Sequence, residues 1–181
     1  MILIKCLYFM LPAYLANMAP IFAQRAGILK FLSKPVDGGR KIKGEPVFGE
    51  NKTWRGFAVG IVVAIFMIWI QYFLYKIPFF ENWSLMNYSE INLWLGGFLF
   101  GFGALFGDLV KSFFKRRLRI QSGTPWIPFD QMDFILGSLI FILPVYFPSL
   151  LETIIILAAS PFLHILANNL GFYLQLKKTR W

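Results

Sequence analysis

Asp108, Asp130 and Asp133 are three carboxylates in the stretch Gly107 to Asp133, and Lys115 and Arg116 lie between them. Carboxylate oxygens suit Mg²⁺, which commonly takes one or two protein carboxylates plus substrate phosphates, while Lys and Arg answer the remaining phosphate charge. The stretch therefore has the inventory of a site for a metal-bound polyphosphate. A second group points the same way. In Asn51-Lys52-Thr53-Trp54-Arg55-Gly56, Lys52, Arg55 and the Thr53 hydroxyl stand at the mouth of an apolar helix, where backbone N–H groups also receive phosphate. Ser112 offers another hydroxyl. Asn17, in the first apolar segment, either hydrogen-bonds to a neighbouring helix or faces the site.

A plainer reading exists for two of the three carboxylates. After Pro128-Phe129, Asp130 has the position of a helix N-cap and Asp133 that of N3, both favoured by the helix dipole. Capping leaves Asp108 unexplained. It follows an apolar helix, and a carboxylate so close to a membrane span needs a partner. Without a metal, three clustered carboxylates would repel one another.

The elements that must position these residues are membrane helices. The 181 residues are 57% hydrophobic, 19% aromatic and only 15% charged, a composition outside the soluble range. The pattern predicts an all-α integral membrane protein, a single transmembrane domain over 1–181. Its five helices fall at about 1–22, 56–75, 91–112, 130–148 and 152–176, with loops 23–55 and 113–129. The first segment is kept as a helix rather than read as a cleaved signal, because Pro20 would follow a cut after Ala19 and the next loop is strongly basic. Gly97-x-x-x-Gly101 and Gly103-x-x-x-Gly107 allow close helix approach. Ser160, His164 and Asn168 recur every four residues, a stripe expected to face the bundle interior with His164 neutral and hydrogen-bonded. The single Cys6 excludes an intrachain disulfide.

Of the 18 Lys and Arg, eight lie in the first basic loop, five between helices three and four, and three in the C-terminal tail; only Lys5 and Lys76 lie opposite. The positive-inside rule then sets the N-terminus outside and the site and C-terminus in the cytoplasm of a multi-pass cell-membrane protein. The net charge of +9 sits between apolar spans and not on a soluble domain, so it points to membrane lipids and phosphate ligands and not to nucleic acid. Arg117 and Arg119, and the rest of loop 23–55, read as headgroup-facing.

Ser112-x-x-Lys115-Arg116 followed by Asp130-x-x-Asp133 resembles the signature of the CDP-diacylglycerol synthase superfamily of membrane cytidylyltransferases. The chain is more similar to its archaeal branch, the CDP-archaeol synthases. That likeness rests on Leu11-Pro12-Ala13-Tyr14, Ala16-Asn17, Pro35-Val36-Asp37-Gly38-Gly39, Lys52-Thr53-Trp54-Arg55-Gly56, Gly107-Asp108 and Asp130-Gln131-Met132-Asp133. The resemblance implies transfer of CMP from CTP to a prenyl-ether glycerol phosphate, with Mg²⁺, releasing pyrophosphate. It also implies catalytic roles for Asp108, Asp130, Asp133, Lys115 and Arg116, and phosphate contacts from Lys52, Thr53, Arg55, Ser112 and Asn17. The His-Gly-Gly of the bacterial and eukaryotic enzymes is missing, and Gln131 stands where their pattern has Arg.

Alternatives remain within reach of the residues alone. The stripe and Asp108 would also suit a small transporter or channel, although no internal repeat is visible and the charges gather at one face. A structural membrane subunit that assembles through its glycine-rich helices is a third reading, and a homo-oligomer is left open. A diacylglycerol phosphate would serve as acceptor in the same chemistry.

Overall fold

The computed structural model describes residues 1–121 and 124–173. It is helical: α1 Ile2–Phe9, α2 Leu11–Arg25, α3 Trp54–Tyr75, α4 Pro78–Glu81, α5 Leu93–Arg117, α6 Phe129–Ile142 and α7 Leu150–Tyr173. Between α2 and α3 lie a 3₁₀ turn, Lys30–Leu32, and a two-stranded antiparallel hairpin, β1 Lys41–Ile42 with β2 Glu45–Pro46. The side chains of His164 and Asn168, the tail and the expected end of the fifth helix past 173 lie outside the described residues.

Helices α3 and α5 are each long and apolar enough to cross a bilayer, and α1 with α2 qualifies as one span broken by a 43° bend. Helix α6 is shorter than its sequence suggested. Its 14 residues rise about 21 Å, short of the roughly 30 Å of a hydrocarbon core, because the segment before Pro144 and Pro148 leaves the helix at Leu143. Helix α5 is longer than expected. It continues through Arg117, so Lys115, Arg116 and Arg117 are helical and not in the loop.

The bend in the first span has a covalent cause and a polar remedy. Pro12 has no N–H to give the carbonyl of Tyr8, four residues back. Gln71 of α3 supplies the missing donor: its Nε2 donates to Tyr8 O at 2.6 Å, and the side chain is 0% exposed. Without that backbone vacancy, a buried glutamine in an apolar span would have no purpose.

Helix α5 is the centre of the bundle, packed against α6, α3 and α2. Its two glycine pairs face different neighbours. A Cβ on Gly101 would stand 2.8 Å from Ile61 Cα of α3, whereas one on Gly107 would overlap the carbonyl of Asp133 in α6. On the other side of that seam a Cβ on Gly137 would overlap the carbonyl of Gly103. These glycines are used inside the chain, so they give no support to self-association. Phe9, Met10, Phe100, Phe134, Ile135, Ile142 and Ile156 fill the core around the seam. Helix α7 closes the bundle against α6 and α1, and the Tyr14 hydroxyl of α2 shares a hydrogen bond with Ser160 Oγ. Ser160 thus faces inward, as expected for its position in the stripe.

Gly107→Ala must push α5 and α6 apart, an overpacking change that costs about 1–3 kcal/mol. Thermal unfolding in detergent should show that loss, and an unfolding temperature equal to the parent's would contradict the seam.

Candidate active site at the lysine–aspartate cluster

Asp108, Lys111, Ser112 and Lys115 follow one another at spacings of three, one and three along α5, which places them on one side of the helix. Opposite them stand the first two turns of α6, with Asp130 and Asp133. The start of α3 completes the group with Lys52, Thr53 and Arg55.

The Lys111 ammonium lies among all three carboxylates, 3.0 Å from Asp108 Oδ1, 2.9 Å from Asp130 Oδ1 and 2.7 Å from Asp133 Oδ2. Lys52 pairs with Asp108 Oδ2. Lys115 Nζ donates to both oxygens of Asp130 at 3.2 Å and to the Thr124 carbonyl at 2.6 Å. Three lysines therefore answer three aspartates. The ammonium that stands between the carboxylates offsets much of the mutual repulsion expected of them.

The capping reading fails in detail. Helix α6 begins at Phe129 with Pro128 in the N-cap position, which puts Asp130 at N2. Asp130 Oδ2 reaches backwards to accept the N–H of Trp126, while Asp133 Oδ1 accepts from Phe134 N at 2.7 Å. Asp133 Oδ2 meets the Lys111 ammonium as an ion pair outside hydrogen-bond geometry and has no hydrogen-bond donor of its own.

A cavity of about 780 Å³ opens beside this network. Its charged end is lined by Lys52, Thr53, Arg55, Asp108, Lys111, Lys115, Asp130 and Asp133, and Asn17 and Gln131 also reach it. Its other walls are apolar: Leu11, Leu15, Met18, Ile21 and Phe22 of α2, with Leu163 and Leu166 of α7. Arg55 is only 9% exposed and has no hydrogen bond or ion pair among the described residues. Its guanidinium borders the open cavity, where it is placed to receive an anion. Thr53 caps α3, its Oγ1 accepting from Gly56 N at 3.2 Å, and its O–H remains free to donate.

Two expected site residues do not reach the cavity. Ser112 Oγ donates to the Asp108 carbonyl at 2.8 Å within α5. Arg116 lies on another side of the helix, its Nε 3.8 Å from where a Cβ of Gly49 would be. Arg117 is not a headgroup contact either. Its guanidinium donates to the carbonyls of Ile42 at 3.2 Å, Glu45 at 3.3 Å and Pro46, and its carbon lies 5.1 Å from the centre of the Phe113 ring. It fastens the hairpin of the first loop to α5. Lys111 is the residue that sequence reasoning passed over, although its spacing from Asp108 and Lys115 carried the signal.

Loop 33–53 is accordingly folded and not a loose basic tether. Val36 N donates to the Lys52 carbonyl at 2.8 Å and Trp54 N to the Lys34 carbonyl at 3.1 Å, which fixes Lys52 and Thr53 at the mouth of the cavity. Asp37 is the loop's hub, accepting from Gly39 N at 2.9 Å, Phe48 N at 2.9 Å and Gly49 N at 3.4 Å. The return of the chain there uses Gly38 and Gly39 at φ +61° and +77°, a left-handed conformation that favours glycine.

The three aspartates bear on any metal. Among the described residues, no three acidic, histidine or cysteine side chains are already spaced as a coordination shell. The donor chemistry nonetheless fits: all-carboxylate oxygen suits Mg²⁺ or a similar hard ion, and the buried Asp133 Oδ2 is met only by the Lys111 ammonium among the described residues. The present N···O distances of 2.7–3.0 Å suit an ammonium and exceed the roughly 2.0–2.1 Å of Mg–O contacts.

Apolar helices of membrane-spanning length around a cavity that is charged at one end and greasy along its walls define a helical intramembrane enzyme acting on an anionic amphiphile. The chain belongs to the CDP-archaeol synthase family: the family model described as CarS-like: CDP-archaeol synthase matches residues 1–181. It is similar to the CDP-archaeol synthase of Thermococcus onnurineus, 38% identical over 180 residues that cover 99% of this chain and 97% of the relative. The CDP-archaeol synthase of Methanococcus maripaludis is 35% identical over 182 residues, covering 100% and 98%. A solved structure, "Structural insight into an intramembrane enzyme for archaeal membrane lipids biosynthesis", superposes with a TM-score of 0.64 at 29% identity, covering 89% of this chain and 90% of that one.

The Asp37 hub gives a pH test. Burial alone would raise its carboxyl, but the N–H groups of Phe48, Gly39 and Gly49 hold it below its ordinary value. A depressed folded value means that the stabilisation is complete above the unfolded carboxylate range, about pH 4, and is lost as pH falls through the folded value. Hydrogen exchange corrected for intrinsic rate should therefore show the Phe48 amide losing protection below about pH 4. In Asp37→Asn that protection should already be reduced at pH 7.

Proposed function

We infer that this chain is a CTP-dependent cytidylyltransferase that transfers CMP to a prenyl-ether glycerol phosphate such as 2,3-bis-O-(geranylgeranyl)-sn-glycerol 1-phosphate, releasing pyrophosphate. The product is a CDP-archaeol-type lipid of archaeal membrane phospholipid biosynthesis. The observation that carries the reading is the cavity joining a lysine–aspartate cluster and Arg55, unpaired among the described residues, to apolar walls on α2 and α7. One ligand of the reaction is a polyphosphate and the other a phosphate on two long apolar chains, so both halves of the cavity have an occupant. The names of the relatives support the same activity.

The chemistry asks little of the protein beyond positioning and charge. A lipid phosphomonoester has a second pKa near 6 and is largely dianionic at pH 7, so its oxygen attacks the α-phosphorus of CTP without a strong base. The bond from that phosphorus to the bridging oxygen breaks as the new P–O bond forms, and pyrophosphate departs with the electron pair. Asp108, Asp130 and Asp133 are the residues we assign to hold Mg²⁺, which when bound neutralises triphosphate oxygens and supports in-line displacement. Arg55, Lys52 and Lys115 receive phosphate oxygens, with the free O–H of Thr53 as a further donor and Asn17 at the same wall. Ser112 and Arg116 act indirectly, through α5 and the loop at Gly49. The apolar wall from Leu11 to Phe22 takes the prenyl chains, whose removal from water stabilises at about 25 cal/mol per Å².

Purified protein given labelled CTP, Mg²⁺ and either a prenyl-ether or a diacyl glycerol phosphate should yield organic-extractable cytidine with the ether lipid. No such product, in folded protein, would sink the assignment. Asp130→Asn keeps an acceptor for the Trp126 N–H yet removes the charge, so kcat should fall at least ~100-fold, at tenfold per 1.36 kcal/mol. Stability should fall as well, since Lys111 and Lys115 lose a partner.

The same reading includes five membrane segments, of which α6 is too short to cross as a helix alone, with the N-terminus outside and the site in the cytoplasm. Its support is that cations from both basic loops, Lys52 and Arg55 with Lys111 and Lys115, gather at one end of the bundle. Single cysteines at Lys43 and Gln121 of a Cys6→Ser protein should resist impermeant thiol reagents added to intact cells. Labelling from outside would reverse the orientation.

A further inference from the structure

We propose that Lys111 is the resident counter-cation of the aspartate cluster, holding the place of a divalent cation until nucleotide and metal arrive together and then yielding the three carboxylates to the metal. The proposal rests on the reading that Asp108, Asp130 and Asp133 hold the metal. It adds a role for a residue on which that reading does not depend.

Four observations carry it. Among the described residues, Lys111 Nζ is the one group that touches all three carboxylates, at 2.7–3.0 Å. Asp133 pairs with no other lysine or arginine among the described residues, so the charge on its buried Oδ2 is answered by Lys111. The three lysines and three aspartates sum to zero charge, which suits a cluster at the edge of a low-dielectric span. Lys111 also lines the cavity, and its side chain is 13% exposed, so the ammonium can leave the cluster on its flexible stem without unfolding α5.

The exchange accounts for the charges on both sides. A divalent ion replacing the Lys111 ammonium among three carboxylates leaves that site one charge more positive. The ammonium released from it then faces the anionic triphosphate in the same cavity. Before nucleotide arrives, the aspartates are kept apart and correctly placed by the lysine. A free divalent ion has to displace that tethered cation, so metal alone binds poorly. Metal with nucleotide binds well, because the displaced ammonium gains a phosphate partner.

The test is Mn²⁺ binding to the purified protein, followed by electron paramagnetic resonance with and without CTP, in the parent and in Lys111→Met. The methionine keeps most of the stem and removes the charge. The proposal expects weak Mn²⁺ binding to the parent without CTP and clear binding with it. In Lys111→Met, Mn²⁺ alone should bind at least about tenfold more tightly than in the parent, and Mg²⁺ alone should restore the unfolding temperature lost in EDTA. A merely structural lysine predicts that Mg²⁺ leaves the variant's unfolding temperature unchanged, and that result would overturn the proposal. Tight Mn²⁺ binding to the CTP-free parent would overturn it too, and this measurement stands even if the variant does not fold. Failure of Mn²⁺ to bind the parent with CTP present would instead remove the metal assignment, and the exchange with it.

Discussion

The approach of α5 to α6 is the constraint on which the site depends. Gly103 and Gly107 of α5 and Gly137 of α6 leave no space for a Cβ, so the two backbones touch along one seam. Asp108 follows directly on Gly107, and Asp133 contributes the carbonyl that Gly107 touches. The carboxylates from the two helices meet because the backbones beneath them do. A methyl group's width of separation there would leave each aspartate facing the cavity singly, where a shared cation could not reach all three.

Closeness of like charges then has to be answered locally. Water is scarce at the end of a membrane span, and an unpaired carboxylate there is costly. Lys52, Lys111 and Lys115 come from two different helix ends and cancel the three negative charges almost in place. The resulting network is neutral as a unit but divisible: each lysine is tethered by a flexible chain, each aspartate by a short one. Arriving cations and anions can therefore be accommodated by moving lysines while the aspartates stay put.

Polar groups elsewhere in the bundle follow the rule that buried backbone must be satisfied. Gln71 serves the carbonyl that Pro12 leaves open, and Thr53 serves the first turn of α3. Asp37 collects three amides of the loop, and Arg117 collects three carbonyls of its hairpin. Through these contacts, a segment rich in lysine and glycine becomes a fixed cover that sets Lys52 and Thr53 beside α5.

Much of this was legible in the residues themselves. Composition alone demands membrane helices, since more than half of the side chains are apolar. Carboxylates beside Lys and Arg at the ends of those helices mark a charged cluster, which the structure forms, and the motif spacing carries the family resemblance. Local rules also led astray where the outcome depended on a neighbour. Asp130 and Asp133 have the spacing of helix caps, yet their oxygens are directed elsewhere by the turn at Trp126 and by α5. Ser112 and Arg116 belong to the motif, but the Ser112 hydroxyl is taken by the Asp108 carbonyl of its own helix and Arg116 lies on another side of α5. Arg117 sits in a basic run that suits a lipid surface, and a hairpin distant in sequence takes it instead. Lys111 could be placed on the face of Asp108 and Lys115 by counting along one helix. That it stands among three carboxylates follows only from the meeting of two helices, because a charge is paired by what lies across from it in space and sequence periodicity describes one element at a time.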